Sequence, residues 1–286
     1  MNRIIPIVIS VLLAASAAPA QDWAKARLDN SPRHGEWVKI EHDGRKVESY
    51  ITYPEVKDKA TAVIVIHEIF GLTDWARGVT DQLAEAGYIA IAPDLVSGTA
   101  PNGGGTADLG GNDRVGKAIS SLPLDQITAD LNAEVDYVSK LPSCNGKVVV
   151  MGFCWGGGQA FRYATDNLKL KAAMVFYGQG PREVDIPKIN CPVYGFYGEM
   201  DNRITASTAN TAAQMKAAGK VYEPVVYSGA GHGYMRAGEA PPPAAPASDA
   251  SDADKSNYEK AKKAYTANKK ARDDSWKRVR ELLEKI

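Results

Sequence analysis

The chain has 286 residues, with 34 Lys and Arg against 34 Asp and Glu, and 44% of its residues are hydrophobic. This balanced charge gives no reason to expect nucleic acid or an anionic membrane as a partner. The length and the apolar content predict a globular protein with one large α/β domain or two small ones.

The first twenty residues have the pattern of a targeting segment. Arg3 supplies a positive start, residues 4–13 form an apolar core, and Ala18-Pro19-Ala20 has the small residues of a cleavage site. A membrane anchor is the alternative, but the apolar stretch is short for a span. We therefore expect a signal peptide over residues 1–20 and an exported chain from Gln21, in a compartment such as a bacterial periplasm.

Alternating and continuous apolar runs follow in chain order. Residues 37–42 and 46–53 alternate apolar and polar side chains around Asp43-Gly44, which predicts a β-hairpin. Continuous apolar runs predict buried strands, and stretches with helical periodicity predict helices between them. The predicted strands cover 61–67, 88–93, the run that ends at 153, 170–177, 191–197 and 222–227, and the predicted helices cover 75–86, 124–141, 159–165, 205–218 and 256–286.

Strands that alternate with helices predict an α/β fold with a mostly parallel central sheet, covered by helices on both faces. The hairpin would form its antiparallel edge, and residues 21–286 are expected to form one domain. Residues 96–115 are rich in Gly, Asn, Asp and Pro, which predicts a long loop at the carboxyl ends of the strands, either a lid or a plain surface excursion. A Pro/Ala-rich linker over 239–250 precedes the C-terminal helix.

The motif Gly152-Phe153-Cys154-Trp155-Gly156 joins a predicted strand to a predicted helix. Glycines two residues before and after Cys154 are typical of a sharp nucleophile turn, because bulkier side chains there would clash. The turn would place Cys154 at a helix N-terminus, where the helix dipole favours a thiolate. A buried structural cysteine beside a glycine-rich turn is the alternative.

Three further polar residues follow predicted strands: Glu68, Asp201 and His232. The carboxyl ends of the strands are where open α/β sheets gather their chemistry, and the order nucleophile, acid, histidine is that of α/β hydrolases. Cys154 is the candidate nucleophile, His232 the base, and Asp201 the group that orients the imidazole. A plain turn role is the alternative for Asp201.

The remaining candidate groups surround this triad. Backbone N–H groups of Ile69 and Trp155 would hold the oxyanion. Glu68 is expected to disfavour the thiolate, and we hypothesise that it keeps Cys154 protonated until substrate displaces it. His67 is interpreted as an oriented wall residue at the end of its strand.

Neither a disulfide nor a metal site is expected. One predicted strand separates Cys144 from Cys191, which would place them about 10 Å apart, too far to bond. The four histidines lack the companions at i, i+4 or in Cys-x₂-Cys that mark a metal site.

Five motifs together resemble the dienelactone hydrolases (carboxymethylenebutenolidases). They are His67-Glu68-Ile69-Phe70-Gly71, Ala92-Pro93-Asp94-Leu95, Gly152-Phe153-Cys154-Trp155-Gly156-Gly157, Tyr197-Gly198-Glu199-Met200-Asp201 and Gly231-His232-Gly233-Tyr234. The resemblance implies an α/β-hydrolase fold, a Cys-His-Asp triad, Glu68 in the thiol-controlling position and Arg236 in the place of a substrate-binding arginine. A second family arginine, shortly after Asp-Leu, is absent here, and Arg114 lies later in the loop.

The leading hypothesis is an exported, monomeric, cofactor-free hydrolase that acts on small carboxylic esters or lactones through a thioester acyl-enzyme. One alternative is an acyl hydrolase of the peptidase or thioesterase type. Another is a non-catalytic envelope protein that uses the fold to bind a ligand.

Overall fold

A computed structural model describes residues 22–286, so the predicted signal peptide lies outside the described residues. Its centre is an eight-stranded sheet with the strand order β1-β2-β4-β3-β5-β6-β7-β8. β1 and β2 form the predicted antiparallel hairpin, and β2 joins β4 antiparallel, while every other pair is parallel. The strands are β1 Gly35–His42, β2 Arg45–Thr52, β3 Ala60–Ile66, β4 Ile89–Pro93, β5 Cys144–Phe153, β6 Ala172–Phe176, β7 Val193–Gly198 and β8 Tyr222–Tyr227.

The helices differ from the prediction in several places, and one of them is a short helix at Tyr234–Ala237 that was not predicted. A short helix precedes the hairpin, the predicted 205–218 helix divides in two, and the predicted 96–115 loop ends in a helix from Asn112. The loop prediction was wrong at residues 112–115 because Gly-rich composition hid the spacing of Val115 and Ile119, both of which are buried. The helices are α1 Asp22–Asp29, α2 Asp74–Glu85, α3 Asn112–Ser120, α4 Leu124–Lys140, α5 Trp155–Asp166, α6 Asn202–Thr205, α7 Thr208–Ala217, α8 Tyr234–Ala237 and α9 Asp252–Leu283, with 3₁₀ turns at Thr106–Asp108 and Glu183–Lys188.

Two apolar layers cover the two faces of the sheet. Every residue of β3 is buried, and successive side chains alternate between faces, so Ile64 joins one layer and Val65 the other. α4 and α5 pack on the first face, whereas α2 and α9 pack on the second. This arrangement confirms the predicted α/β fold with helices on both faces.

The C-terminal helix packs on the sheet through its second half, and the start of the linker is bonded to α1 and α2. Trp276, Val279 and Leu283 are buried, whereas Tyr258 and Tyr265 are only partly buried. Glu239, the first residue of the linker, accepts hydrogen bonds from Arg27 Nη1 at 2.8 Å, Trp75 Nε1 at 3.1 Å and Gln82 Nε2 at 3.1 Å.

Cys144, Cys154 and Cys191 are free thiols. As predicted, one strand, β6, lies between β5, which begins at Cys144, and β7, which begins just after Cys191. Over residues 22–286, none of the helices combines the length and the apolar character that a membrane crossing requires.

Candidate active site

The turn at Cys154 has the strained backbone that the motif predicts. Cys154 is the N-cap of α5, with φ 55° and ψ −118°, a conformation that non-glycine residues rarely adopt. A Cβ atom on Gly152 would lie 2.0 Å from the carbonyl oxygen of Gly156, and one on Gly156 would lie 2.3 Å from that of His67. Both glycines are therefore required by close backbone approach, and the strain is held in place by the sheet on one side and α5 on the other.

The three predicted triad residues meet at the carboxyl edge of the sheet. His232 Nε2 lies 3.0 Å from Cys154 Sγ, and His232 Nδ1 lies 2.5 Å from Asp201 Oδ2. Asp201 is also the N-cap of α6, where its Oδ1 accepts a hydrogen bond from the Ile204 N–H at 3.4 Å. Asp201 therefore makes both the hydrogen bond of a turn residue and a hydrogen bond to the imidazole, one on each oxygen.

The electrostatics of the triad favour a protonated histidine. Burial by itself lowers the pKa of His232, but the hydrogen bonds to Cys154 and Asp201 and their charges outweigh it and raise the pKa to about 9. An imidazolium at this position lies within hydrogen-bonding distance of the sulfur and stabilises negative charge on it.

Glu68 is held by Arg236. Arg236 Nε donates to Glu68 Oε2 at 2.9 Å, and the guanidinium lies 5.3 Å from the centroid of the Phe70 ring. Burial by itself lowers the pKa of Arg236, yet the Glu68 carboxylate raises it overall. The partner of the Cys154 sulfur is His232 rather than Glu68. Thiol control by Glu68 and substrate binding by Arg236 therefore stay predictions, and Arg236 has a clear second role as the counter-ion of Glu68.

Tyr177 is a site residue that sequence reasoning missed. It follows β6 with a positive φ of 39°, its side chain is fully buried, and its ring packs edge-on against the His232 imidazole at 5.0 Å between centroids. Its hydroxyl lies 3.5 Å from Glu68 Oε1. The only sequence signal was its place at the end of a predicted strand, on the edge where the triad lies.

A cleft of about 1060 Å³ opens onto the triad. Cys154, His232 and Tyr177 line one part of it, together with the two predicted oxyanion residues, Ile69 and Trp155. The rest of the lining comes from α4, α5, the segment 179–182, the 3₁₀ turn Glu183–Lys188 and the start of α6. In the part of the chain that the structure describes, no group of three or more His, Cys, Asp and Glu residues is placed to hold a metal ion.

The segment that follows Asp94 packs over Ile69 and Trp155, the two predicted oxyanion residues. Thr106 donates to both carboxylate oxygens of Asp94, from its N–H at 2.7 Å and its hydroxyl at 2.8 Å. Val115 and Ile119 of α3 belong to a small apolar cluster against which Ile69 and Trp155 pack. The predicted loop is therefore anchored at this edge by polar bonds and by its own apolar side chains.

A nucleophile turn between β5 and α5, followed in chain order by an acid after β7 and a histidine after β8, defines an α/β-hydrolase. The model of the family described as "Dienelactone hydrolase family" matches residues 47–286. The chain belongs to the dienelactone hydrolase family and is a carboxylic ester hydrolase.

Relatives and solved structures agree with this assignment. A protein of Escherichia coli (strain K12) named "Putative carboxymethylenebutenolidase" is 34% identical over 215 residues, which is 69% of this chain and 76% of that protein. A relative of the same name from Saccharolobus solfataricus is 28% identical and covers 85% of this chain and 96% of its own. The crystal structure of a "Putative Dienelactone Hydrolase" from Klebsiella pneumoniae superposes with a TM-score of 0.64 at 25% identity, over 82% of this chain and 98% of that one.

Proposed function

We propose that this chain hydrolyses carboxylic esters or lactones with Cys154 as nucleophile, through a thioester acyl-enzyme. The observation that carries the proposal is the continuous hydrogen-bonded line from Cys154 Sγ through the His232 imidazole to Asp201, with bonds of 3.0 Å and 2.5 Å. A buried structural cysteine has no need of such a line, whereas Cys154 is only partly buried and lines the cleft.

The proposed reaction has two steps. Cys154 Sγ, having given its proton to His232 Nε2, attacks the carbonyl carbon, and the collapse of the tetrahedral intermediate expels the alcohol oxygen, which takes the proton from His232. Water then attacks the thioester carbon while His232 accepts its proton, and the thiol leaves with that proton restored. Asp201 keeps Nδ1 protonated throughout and stabilises the imidazolium. The backbone N–H groups of Ile69 and Trp155 face the oxygen that becomes negative in both steps.

We further propose that the substrate carries an anionic group. Four cations and three carboxylates line the cleft: Arg162, Arg182, Lys188 and Arg203 against Asp125, Asp166 and Asp185. Arg162 pairs with Asp166, and Arg182 and Lys188 share Asp185.

Arg203 is the cation best placed to bind such a group. Within residues 22–286 it makes no ion pair, and it lies two residues after Asp201. An anionic group on the substrate would therefore be bound near Arg203.

The test is hydrolysis of a small aryl ester and of a dienelactone by the chain from Gln21, beside Cys154→Ala, in reducing buffer. Loss of both activities in the variant, with a covalent acyl mass on the wild-type Cys154 peptide, is the expected result. Aryl ester turnover without dienelactone turnover would place the substrate outside the lactones. Equal turnover by variant and wild type would refute the nucleophile and bring forward the ligand-binding alternative.

We also propose export, on the pattern of residues 1–20 alone. N-terminal sequencing of the protein recovered from a periplasmic fraction should begin at Gln21. Recovery of the intact N-terminus from the cytoplasmic fraction would refute this proposal.

A further inference from the structure

His67 lies between the two residues that supply the proposed oxyanion donors. Its ring is completely buried and stacks on the Trp155 indole, with the ring centroids 5.6 Å apart and the planes at 15°. On the other side, His67 Nδ1 lies 2.8 Å from the carbonyl oxygen of Glu68. Because a carbonyl oxygen only accepts hydrogen bonds, Nδ1 carries the proton. Burial lowers the pKa of His67, which keeps the ring neutral in this tautomer.

The bond to Glu68 determines where the Ile69 N–H points. The Glu68 C=O and the Ile69 N–H belong to one planar trans peptide group, so they point in opposite directions. The Gly71 N–H also donates to the Glu68 oxygen, at 3.1 Å, and together the two bonds fix the orientation of this peptide plane. The Ile69 N–H consequently points away from His67. Over residues 22–286 it donates to no other group of the protein, and Ile69 lines the cleft with Cys154.

The stacking of the His67 ring on Trp155 bears on the second proposed donor, the Trp155 N–H. Trp155 is the first residue of α5, and its N–H likewise finds no acceptor among residues 22–286. The stacked His67 ring supports the Trp155 side chain, and the next residue, Gly156, packs directly against the backbone of His67. One side chain therefore touches both elements that present the free N–H groups.

We propose that His67 is a positioning residue for the oxyanion hole. Its Nδ1–H bond fixes the Glu68–Ile69 peptide and its ring supports Trp155, so that both N–H groups converge on the oxygen of the tetrahedral intermediate. The inference rests on the proposed function and adds to it a residue outside the triad whose effect falls on the transition state.

Because His67 Nε2 is unused over residues 22–286, substitutions can separate the positioning role of His67 from a role in packing alone. His67 Nε2 is buried and has no hydrogen-bond partner in the described chain. A phenyl ring at this position therefore preserves the stack and loses only the Nδ1 donor. His67→Phe is the donor-free variant, and His67→Leu is a smaller donor-free variant should the phenyl ring fail to fit. His67→Asn is the rescue variant, because its amide nitrogen occupies about the position of Nδ1.

Two rates at the same sulfur distinguish the roles. Acylation of Cys154 by a p-nitrophenyl ester builds an oxyanion, whereas its alkylation by iodoacetamide does not. In the donor-free variants we expect the acylation burst rate and kcat to fall by roughly 10- to 100-fold, somewhat less than for complete loss of an oxyanion donor, with KM nearly unchanged. The alkylation rate should stay within about 2-fold of wild type, and His67→Asn should recover part of the lost acylation rate.

Either of two results overturns the inference. Wild-type acylation in the donor-free variants would mean that the bond positions nothing. A proportional fall in alkylation would mean that the change damages the Cys154 site as a whole. Cys154→Ala separates these results from a failure of the proposed function. If wild type gives no burst and Cys154→Ala hydrolyses equally well, the proposed function fails and the inference falls with it.

Discussion

Gly156→Ala tests whether close backbone approach at the nucleophile turn is required for both stability and chemistry. An added Cβ would lie 2.3 Å from the His67 carbonyl oxygen and 2.4 Å from that of Ile66, distances that real Cβ atoms do not show. Both atoms are backbone at the end of β3, where Ile66 pairs with Gly152 in the parallel ladder. The obstacle cannot rotate away as a side chain would, so the strand or the start of α5 must move.

The size of the effect follows from this geometry. Overpacking usually costs about 1–3 kcal/mol, and a contact with two backbone carbonyls belongs at the upper end or beyond, at about 3 kcal/mol or more. For a chain of this size such a loss lowers the midpoint of thermal unfolding by roughly 6–12 °C. The displacement also reaches the Cys154 turn and the His67 peptide, so ester hydrolysis should fall with stability.

Gly158→Ala is the matched control in the same helix. There the nearest atoms to an added Cβ are the nitrogen and oxygen of Gln179, both at an ordinary 3.7 Å. Because alanine is the better helix former, this variant should be as stable as wild type or more stable by up to about 1 kcal/mol. Urea unfolding and calorimetry of both variants measure the contrast. Equal stability of Gly156→Ala and Gly158→Ala would refute the packing argument.

Three further perturbations have defined outcomes. Asp201→Asn removes the hydrogen bond and the charge of Asp201, which help to raise the pKa of His232 to about 9. The alkaline limb of the pH profile of the acylation rate should therefore move to lower pH, and kcat should fall by roughly 100-fold or more. An alkaline limb at the wild-type pH would contradict the role assigned to Asp201. Burial raises the pKa of Glu134 from 4.5 to about 8. The protonated carboxyl therefore contributes its full stabilisation of the fold below pH 4.5, and this stabilisation is lost as the pH rises through about 8. Glu134→Gln should therefore narrow the difference in urea midpoint between about pH 5 and about pH 9, and a difference equal to wild type would show that Glu134 is ionised in the fold. Arg203→Gln should raise KM about 10-fold for an ester with a carboxylate and leave KM for its neutral analogue unchanged, whereas equal effects on both would remove Arg203 from anion binding.

The Glu68–Arg236 ion pair shows why part of the site could not be predicted from the sequence. The two residues are 168 positions apart, and Tyr177 is 109 positions from the carboxylate that it faces. A motif identifies each residue, but nothing in its spacing says that the arginine binds a carboxylate of the protein. α3 is a similar case, because two buried apolar residues on one helical face are a weak signal within a glycine-rich stretch.

Sequence by itself determined the strand-to-helix turn at Cys154, the chain order of the candidate triad and the mostly parallel sheet. Each of these depends on local geometry, since glycine spacing reports crowding within a few residues and apolar runs report burial along one strand. Only the tertiary structure decided that Asp201 serves both α6 and His232, that Glu68 faces Arg236, and that His67 joins Ile69 to Trp155. Those pairings depend on how separate strands are placed side by side at one edge of the sheet, which no local pattern encodes.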